Sequence, residues 1–469
     1  MMAERIQQLV ERALALSTAD GCLVLGEERT EANLRWAGNS LTTNGQMHAI
    51  KLTVISIVHT PDGDCAGVVS SPVTLAGAET ELPGLVAAAD LAAREAGPAD
   101  DAAELIADYP NDDDWDAPAA RTDIEVFSEF APALGAAFER ARKNDTLLYG
   151  FAEHVMSSVF LASSTGLRRR HDQPTGRVEL NAKSSDLQRS AWVGGHTRDF
   201  TDVDVPALAD ELDRRLEWAR TRIDLPAGRY ETLLPPSAVG DLMVYLGWTL
   251  GARDAAEGRS VFAARGGGTR IGERLGQLPL RLRSDPAEPG VQCAPFQLTP
   301  IGGMESVFDN GRPIGAVDWI ADGTLRALFG TRNWAARGDG TAELPAVPDN
   351  LVLSLPDRAD LPSLDEMIAN TQRGLLVTCL WYIREVDPQT LLLTGLTRDG
   401  VYLIDDGQVR GAVNNFRFNE SPVDLLGRAT EAGRSVPTLP REWSDFFTRA
   451  VMPPLRIPDF NMSTVSQAS

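Results

Sequence analysis

A single helical pattern governs how the second half of this chain can fold. In Pro236-Ser-Ala-Val-Gly-Asp-Leu-Met-Val-Tyr-Leu-Gly-Trp248 the apolar residues Val239, Leu242, Met243, Leu246 and Leu250 recur at helical spacing. Pro236 and Ser237 suit a helix start and Gly251 a stop. Beyond this stretch the sequence breaks into short strand-like runs and turns. Residues 374–379, 390–397 and 401–404 read as strands, and Asp405-Asp-Gly407 as a tight turn. Phe308-Asp-Asn-Gly-Arg-Pro-Ile-Gly315 and Ile320-Ala-Asp-Gly-Thr-Leu325 read as consecutive hairpin turns. The apolar stripe must therefore pack on a mostly antiparallel, curved sheet with few other helices.

The first half reads differently. A helix is expected over 3–17, strands over 22–26, 33–36, 50–58 and 66–70, and an alanine-rich helix over 82–95. Residues 100–116 then carry Asp100, Asp101, Glu104, Asp108, Asp112, Asp113, Asp114 and Asp116 with no base. This run lacks the spacing, glycine and closing glutamate of a calcium loop, so it reads as a solvated linker. A second unit follows, with helices over 126–143 and 205–222 and strands over 147–152, 155–163 and 176–182. The basic run Arg168-Arg-Arg-His171 reads as a solvated strand end. The expected class is α+β, divided into an N-terminal α+β domain (1–98), an acidic linker (99–122), a second α+β unit (123–223) and a mostly antiparallel β domain (224–469).

Charge and cysteine use limit the function classes. The chain has 66 acids against 44 bases, a net charge of −22. Such a surface repels phosphate backbones and argues against direct nucleic-acid binding. Cys22, Cys65, Cys293 and Cys379 are scattered with no CxxC pair, and read as buried thiols of a reducing compartment. No run of about 18 apolar residues could span a membrane, and the N-terminus reads as a charged amphipathic helix rather than a signal peptide. A cytoplasmic protein is expected, with no membrane contact. The run Arg265-Gly-Gly-Gly268 reads as a flexible loop, and no Ser/His/Asp or Cys/His set is visible. The last histidine is His196.

From about Asp224 onward the sequence resembles the TldD/TldE family, also called the PmbA or modulator-of-gyrase family. The resemblance rests on Gly258-Arg259-Ser260-Val261-Phe262, similar to the family's Gly-x-Ser-x-Phe, on Asp309-Asn-Gly311, on Gly374-Leu-Leu-Val-Thr378 and on Val413-Asn-Asn-Phe-Arg417. Asn39-Ser-Leu41 resembles the family's N-terminal turn, so the likeness reaches nearly the whole chain. Catalytic family members carry HExxxH on the helix before the Gly-x-Ser-x-Phe anchor. There two histidines hold Zn²⁺ and the glutamate takes a proton from its water. Counting back from the anchor puts the first histidine at Met243, the glutamate at Val244 and the second histidine at Trp248. Gly247 matches the glycine before that second histidine. The family's third ligand, a cysteine near the C-terminus, has no counterpart in the tail from Pro453 to Ser469.

The resemblance therefore implies a TldE/PmbA-type subunit without metal or catalytic residues of its own. It implies an HExxxH-bearing TldD-like partner that carries the zinc, in a heterodimeric metalloprotease acting on unfolded or small peptides. Met243 and Trp248 are expected to pack together where the metal would sit. Arg259, Ser260, Arg384, Arg398 and Asp399 are the candidate cleft or peptide-binding residues. Arg398 could hold a peptide carboxylate in bidentate fashion, or could pair with Asp399 to brace a hairpin turn. Two other functions stay open: a stand-alone peptide-binding or scaffold protein, and a repurposed enzyme with metal-free chemistry.

Overall fold

In the computed structural model the described residues are 5–466 without 76, 108, 338–342, 357 and 359. Asp108 of the acidic run lies outside the described residues, as do the first residues of the N-terminal helix and Gln467 to Ser469 of the tail. The fold is α+β. Among the described residues no helix is long and apolar enough to cross a membrane.

Residues before about 200 build one antiparallel sheet. Its strands are β1 (Gly21–Ala37), β2 (Ser40–Thr60), β3 (Gly63–Val73), β4 (Thr146–Ser163), β5 (Arg168–Ser184) and β6 (Ser190–Thr197), in the order β3-β2-β1-β4-β5-β6. The segments 1–98 and 123–223, set apart in the sequence, share this sheet. β1 pairs with β4 without interruption from Leu23↔Ser163 to Trp36↔Gly150. Alternation along β1 decides what each face meets. Cys22 and Val24 join a core under helices α1 (Ile6–Leu16) and α2 (Ala78–Glu95). Ala32, Leu34 and Trp36, on the same face, join a core under α3 (Phe130–Lys143) and α4 (Val205–Trp218). Leu23 and Leu25 face the other way, against Phe296, Val307 and Phe308 from the C-terminal half.

Several strands are longer than their apolar runs. The polar centre of β1, Glu27 to Glu31, reads as a break, yet it continues the strand. Glu28 is buried there because Arg121 and His48 reach its carboxylate at 2.6 and 3.0 Å. The hairpin joining β1 to β2 turns on Gly38 and Asn39, with φ of 57° and 64°, the paired left-handed geometry of a type I′ turn. Asn39 is buried. Its Nδ2 donates to the Thr146 carbonyl and its Oδ1 accepts from the Leu148 N–H, each at 2.7 Å, so the turn also fixes the start of β4.

The acidic run and the basic run, both expected to be solvated, satisfy one another. Asp112 Oδ2 accepts from Arg169 Nε at 3.1 Å and from the Arg170 N–H at 2.7 Å. Arg170 donates to the carbonyls of Asp114 and Pro118, each at 2.8 Å, and pairs with Asp172. Arg169 and Arg170 are buried as a result. Charged residues pass below water only with such partners, and partners this far apart in sequence leave no trace in local patterning.

The C-terminal half holds two further sheets. In one, Gly228–Leu234 lies between Leu455–Val465 and a parallel neighbour, Arg373–Val377. Antiparallel partners extend it through Val401–Asp405 and Phe416–Glu420. In the other, Arg281–Ser284 lies between Val317–Ala321 and Leu351–Ser354, which pairs with Ala450–Met452. Asp322-Gly323 and Asp406-Gly407 form the expected tight turns, with φ between 51° and 70°. Phe308 to Gly315 forms no hairpin. A short 3-10 turn at Val307–Asp309 leads instead to a lone bridge, Phe296↔Pro313.

Between the two sheets runs α5 (Pro236–Trp248). It is not a one-sided stripe. Ala238, Val239, Gly240, Asp241, Leu242, Met243, Val244, Leu246 and Gly247 are all buried, because both sheets and the strand at Val436–Thr438 enclose it. Replacing Arg170 with Ala is expected to leave Asp172 to Ser158 alone, to remove the side-chain donor of the Pro118 carbonyl, and to lower stability by about 2–4 kcal/mol. Urea denaturation of Arg170→Ala beside the parent measures it, and a change below about 0.5 kcal/mol would show that the acidic segment is not anchored by this residue.

Candidate functional site

Helix α5 sets the chemistry available to the C-terminal half. Met243 and Val244 lie in its main core at 1% and 0% exposure, among aliphatic side chains. Gly247 is needed for close approach, since a Cβ there would sit 2.9 Å from Leu351 Cδ1. Trp248 is half-buried at the C-terminal end of the helix and packs against the core that contains Met243. Its ring meets Trp443 edge-on with centroids 5.1 Å apart, and it lines a cavity of about 540 Å³ with Arg253, Asp254, Arg259 and Met304. A zinc ion does not fit these residues: Val244 has no donor, the indole of Trp248 has no free lone pair, and the Met243 thioether is enclosed by hydrocarbon. Among the described residues no three His, Cys, Asp or Glu side chains converge on a common point.

What α5 does offer is one carboxyl group. Asp241 is fully buried. Its Oδ1 accepts from the Glu442 N–H at 2.9 Å, and its carbonyl accepts from Trp443 Nε1 at 2.9 Å. Its Oδ2 has no partner. Burial, with the Glu442 charge nearby, holds the Asp241 carboxyl well above the usual carboxylate range, against the two hydrogen bonds from the loop. These two hydrogen bonds clamp α5 onto the loop Arg441-Glu442-Trp443. Glu442 in turn accepts from the N–H groups of Tyr382 and Ile383, at 3.1 and 3.0 Å.

Arg441 is the outcome of that clamp. Its guanidinium lies 5.0 Å from the Trp192 ring and 4.9 Å from the Trp381 ring. It donates through Nη2 to Asp399 Oδ2 at 3.0 Å and through Nη1 to the Cys379 sulfur. Asp399 also accepts from Ser190 Oγ at 2.6 Å, which ties β6 to the C-terminal half. Cys379 is buried, and burial pushes its thiol up to about 12, so it is no nucleophile here.

The five candidate residues divide among different places. Arg398 and Asp399 stand with Arg441 at the rim of a groove of about 710 Å³ between the N-terminal sheet and the C-terminal half. Asp399 pairs more closely with Arg441 than with Arg398, which is 3.6 Å away and lies over Trp381. The turn they form needs Gly400: φ is 146°, and a Cβ would fall 2.1 Å from Thr378 Oγ1. Arg259 lines the other cavity with Trp248, exposed and paired with Asp254 and Glu257. Ser260 and Arg384 line neither. Ser260 is buried and accepts from the Phe262 N–H at 3.3 Å. Arg384 is exposed, 3.5 Å from Glu442. Sequence reasoning missed Asp241, Cys379, Arg441 and Glu442. Asp241 did carry a signal, as the only charge in an otherwise apolar helix.

Two domain families match the sequence: the PmbA/TldA metallopeptidase central domain over residues 121–220 and the PmbA/TldA metallopeptidase C-terminal domain over 227–464. Curated proteins give no match. Among solved structures, TldE from Thermococcus kodakarensis is similar at 15% identity and a TM-score of 0.76, covering 97% of this chain and 99% of that one. A protein described as a modulator of DNA gyrase, from Thermotoga maritima, is similar at 16% identity and a TM-score of 0.74, with 97% and 99% covered. One from Bacteroides thetaiotaomicron with the same description gives 13% and 0.75, with 98% and 99% covered. At these identities the likeness is one of fold.

The Asp241 carboxyl supplies a pH test. Its folded value is raised above the unfolded 3.8, so its contribution is complete below that value and is lost as pH rises toward the folded one. Asp241→Asn keeps the acceptor for Glu442 and removes the titration. Its stability relative to the parent is expected to improve as pH rises from about 5 to 8. Urea melts at both pH values check this, and a constant difference would mean that Asp241 is ionised in the fold.

Proposed function

The chain belongs to the PmbA/TldD metallopeptidase family, and from that premise we propose that it is a TldE-type subunit without catalytic activity of its own. The observation that carries this reading is α5, where Met243 and Val244 are sealed in a hydrocarbon core and Trp248 meets Trp443 edge-on. An HExxxH-bearing TldD-like partner supplies the zinc and the base, and this chain contributes walls of a cleft that admits unfolded or small peptides in the cytoplasm. Its two open sites, at Trp248 and at Arg398, are the surfaces it offers to such a substrate. The second reading, a stand-alone peptide-binding protein, is favoured by the Arg398 groove, which needs no metal to bind.

Cleavage separates the two. Alone, the chain is expected to leave unfolded peptides intact and to retain no stoichiometric zinc after mild chelation. With its HExxxH relative it is expected to form a complex that cuts them and loses activity to chelators. Failure to associate with that relative favours the stand-alone reading, and metal-independent hydrolysis by this chain overturns both. Restoring the motif by Met243→His, Val244→Glu and Trp248→His places polar groups in the packed core. A loss of about 2–5 kcal/mol is expected, with no zinc-dependent rise in Tm. Thermal melts with and without zinc read both.

A further inference from the structure

The groove beside Arg398 is built for an anion, although the chain as a whole is strongly acidic. Lys183 and Arg222 reach it from the N-terminal half, and Arg398 and Arg441 from the C-terminal half, against Asp224 and Asp399. Asp399 is already engaged by Arg441 and Ser190. Among the described residues Lys183 and Arg222 have no carboxylate partner. Lys183 Nζ lies 5.7 Å from the Tyr149 ring, and Arg222 donates only to the Gln188 carbonyl at 2.6 Å. Acids outnumber bases by 22 in this chain, so cations left unpaired in one concavity ask for an explanation.

A second, independent observation points the same way. Three buried polar atoms on residues lining the groove have no hydrogen-bond partner: Tyr402 Oη, Asn414 Nδ2 and Arg441 Nε. Tyr402 is 1% exposed, and the Arg441 side chain 9%. A buried donor without an acceptor is destabilising, and all three groups can donate. Asn414 is held for the task, since its Oδ1 accepts from the Leu225 N–H at 2.7 Å and directs the amide nitrogen elsewhere. Between these donors the lining includes Ile223, Val401 and Val413.

We propose that this groove binds the carboxyl terminus of an extended peptide. Guanidinium forks match a carboxylate in geometry and charge. The apolar lining suits the side chains of the preceding residues. A volume of about 710 Å³ is far more than a lone inorganic anion fills. The identity of the ligand as a peptide rests on the family reading; the anion preference rests on the groove alone.

The test uses this chain by itself, so it does not depend on zinc or on a partner. Fluorescence anisotropy compares a randomised pool of N-terminally labelled pentapeptides ending in a free carboxylate with the same pool ending in a carboxamide. The carboxamide pool is expected to bind about tenfold more weakly, as is the carboxylate pool to a K183Q/R222Q variant. Both substituted residues are exposed, and an unchanged melt will show the variant folded. Equal binding of the two pools, or no binding of either, overturns the proposal. Displacement of the peptide by inorganic phosphate as effectively as by unlabelled free-carboxylate peptide also overturns it, leaving a simple anion site. Loss of cleavage with the HExxxH relative while the carboxylate preference persists would fault the subunit reading and spare this one.

Discussion

One carboxyl group in the middle of a hydrocarbon core organises both open sites of this protein. Asp241 holds the Glu442 N–H with its side chain and the Trp443 indole with its backbone. Three consecutive loop residues are thereby sent in three directions. Arg441 enters the groove between two tryptophans, Glu442 seizes the backbone at Tyr382 and Ile383, and Trp443 supports Trp248 at the other cavity. Burial disfavours the charged form of the group and raises its pKa, and its hydrogen bonds do the positioning. Through these bonds α5 fixes the loop that runs between the two cavities.

The apolar side chains of α5 set what that helix can tolerate. A zinc ligand must keep an open approach to the metal. Met243 and Val244 have no such obligation and can be enclosed on every side. Gly247 lets the helix approach Leu351 closely, which suits a packing element.

Local pattern made much of the architecture legible. The helix at 236–248, the two-residue turns at Asp322-Gly323 and Asp406-Gly407, and the α+β class could all be read from apolar spacing and turn residues. Features that depend on distant partners could not. The polar centre of β1 is strand because Arg121 and His48 cover Glu28, and the arginines of β5 are buried because Asp112 and the carbonyls of the acidic segment meet them. The candidate site shows the same division. Arg398 and Asp399 were visible as charges in a strand-rich turn. Arg441 lies 42 positions beyond Asp399, and became relevant only through the chain path that returns it to that turn. The all-round burial of α5 was likewise hidden, because sequence cannot show that sheets enclose it on both sides.

The uninterrupted pairing of β1 with β4 makes the N-terminal half a single sheet whose two hairpin stacks meet at one seam. A fragment ending near residue 98 would keep β1, β2 and β3 but bare the whole β1 edge, from Leu23 to Trp36, to solvent. Unprotected edges of that length recruit other strands. The segment that looks like an independent module would thus be sticky in isolation, and nascent chains must hold that edge until β4 emerges from the ribosome to close it.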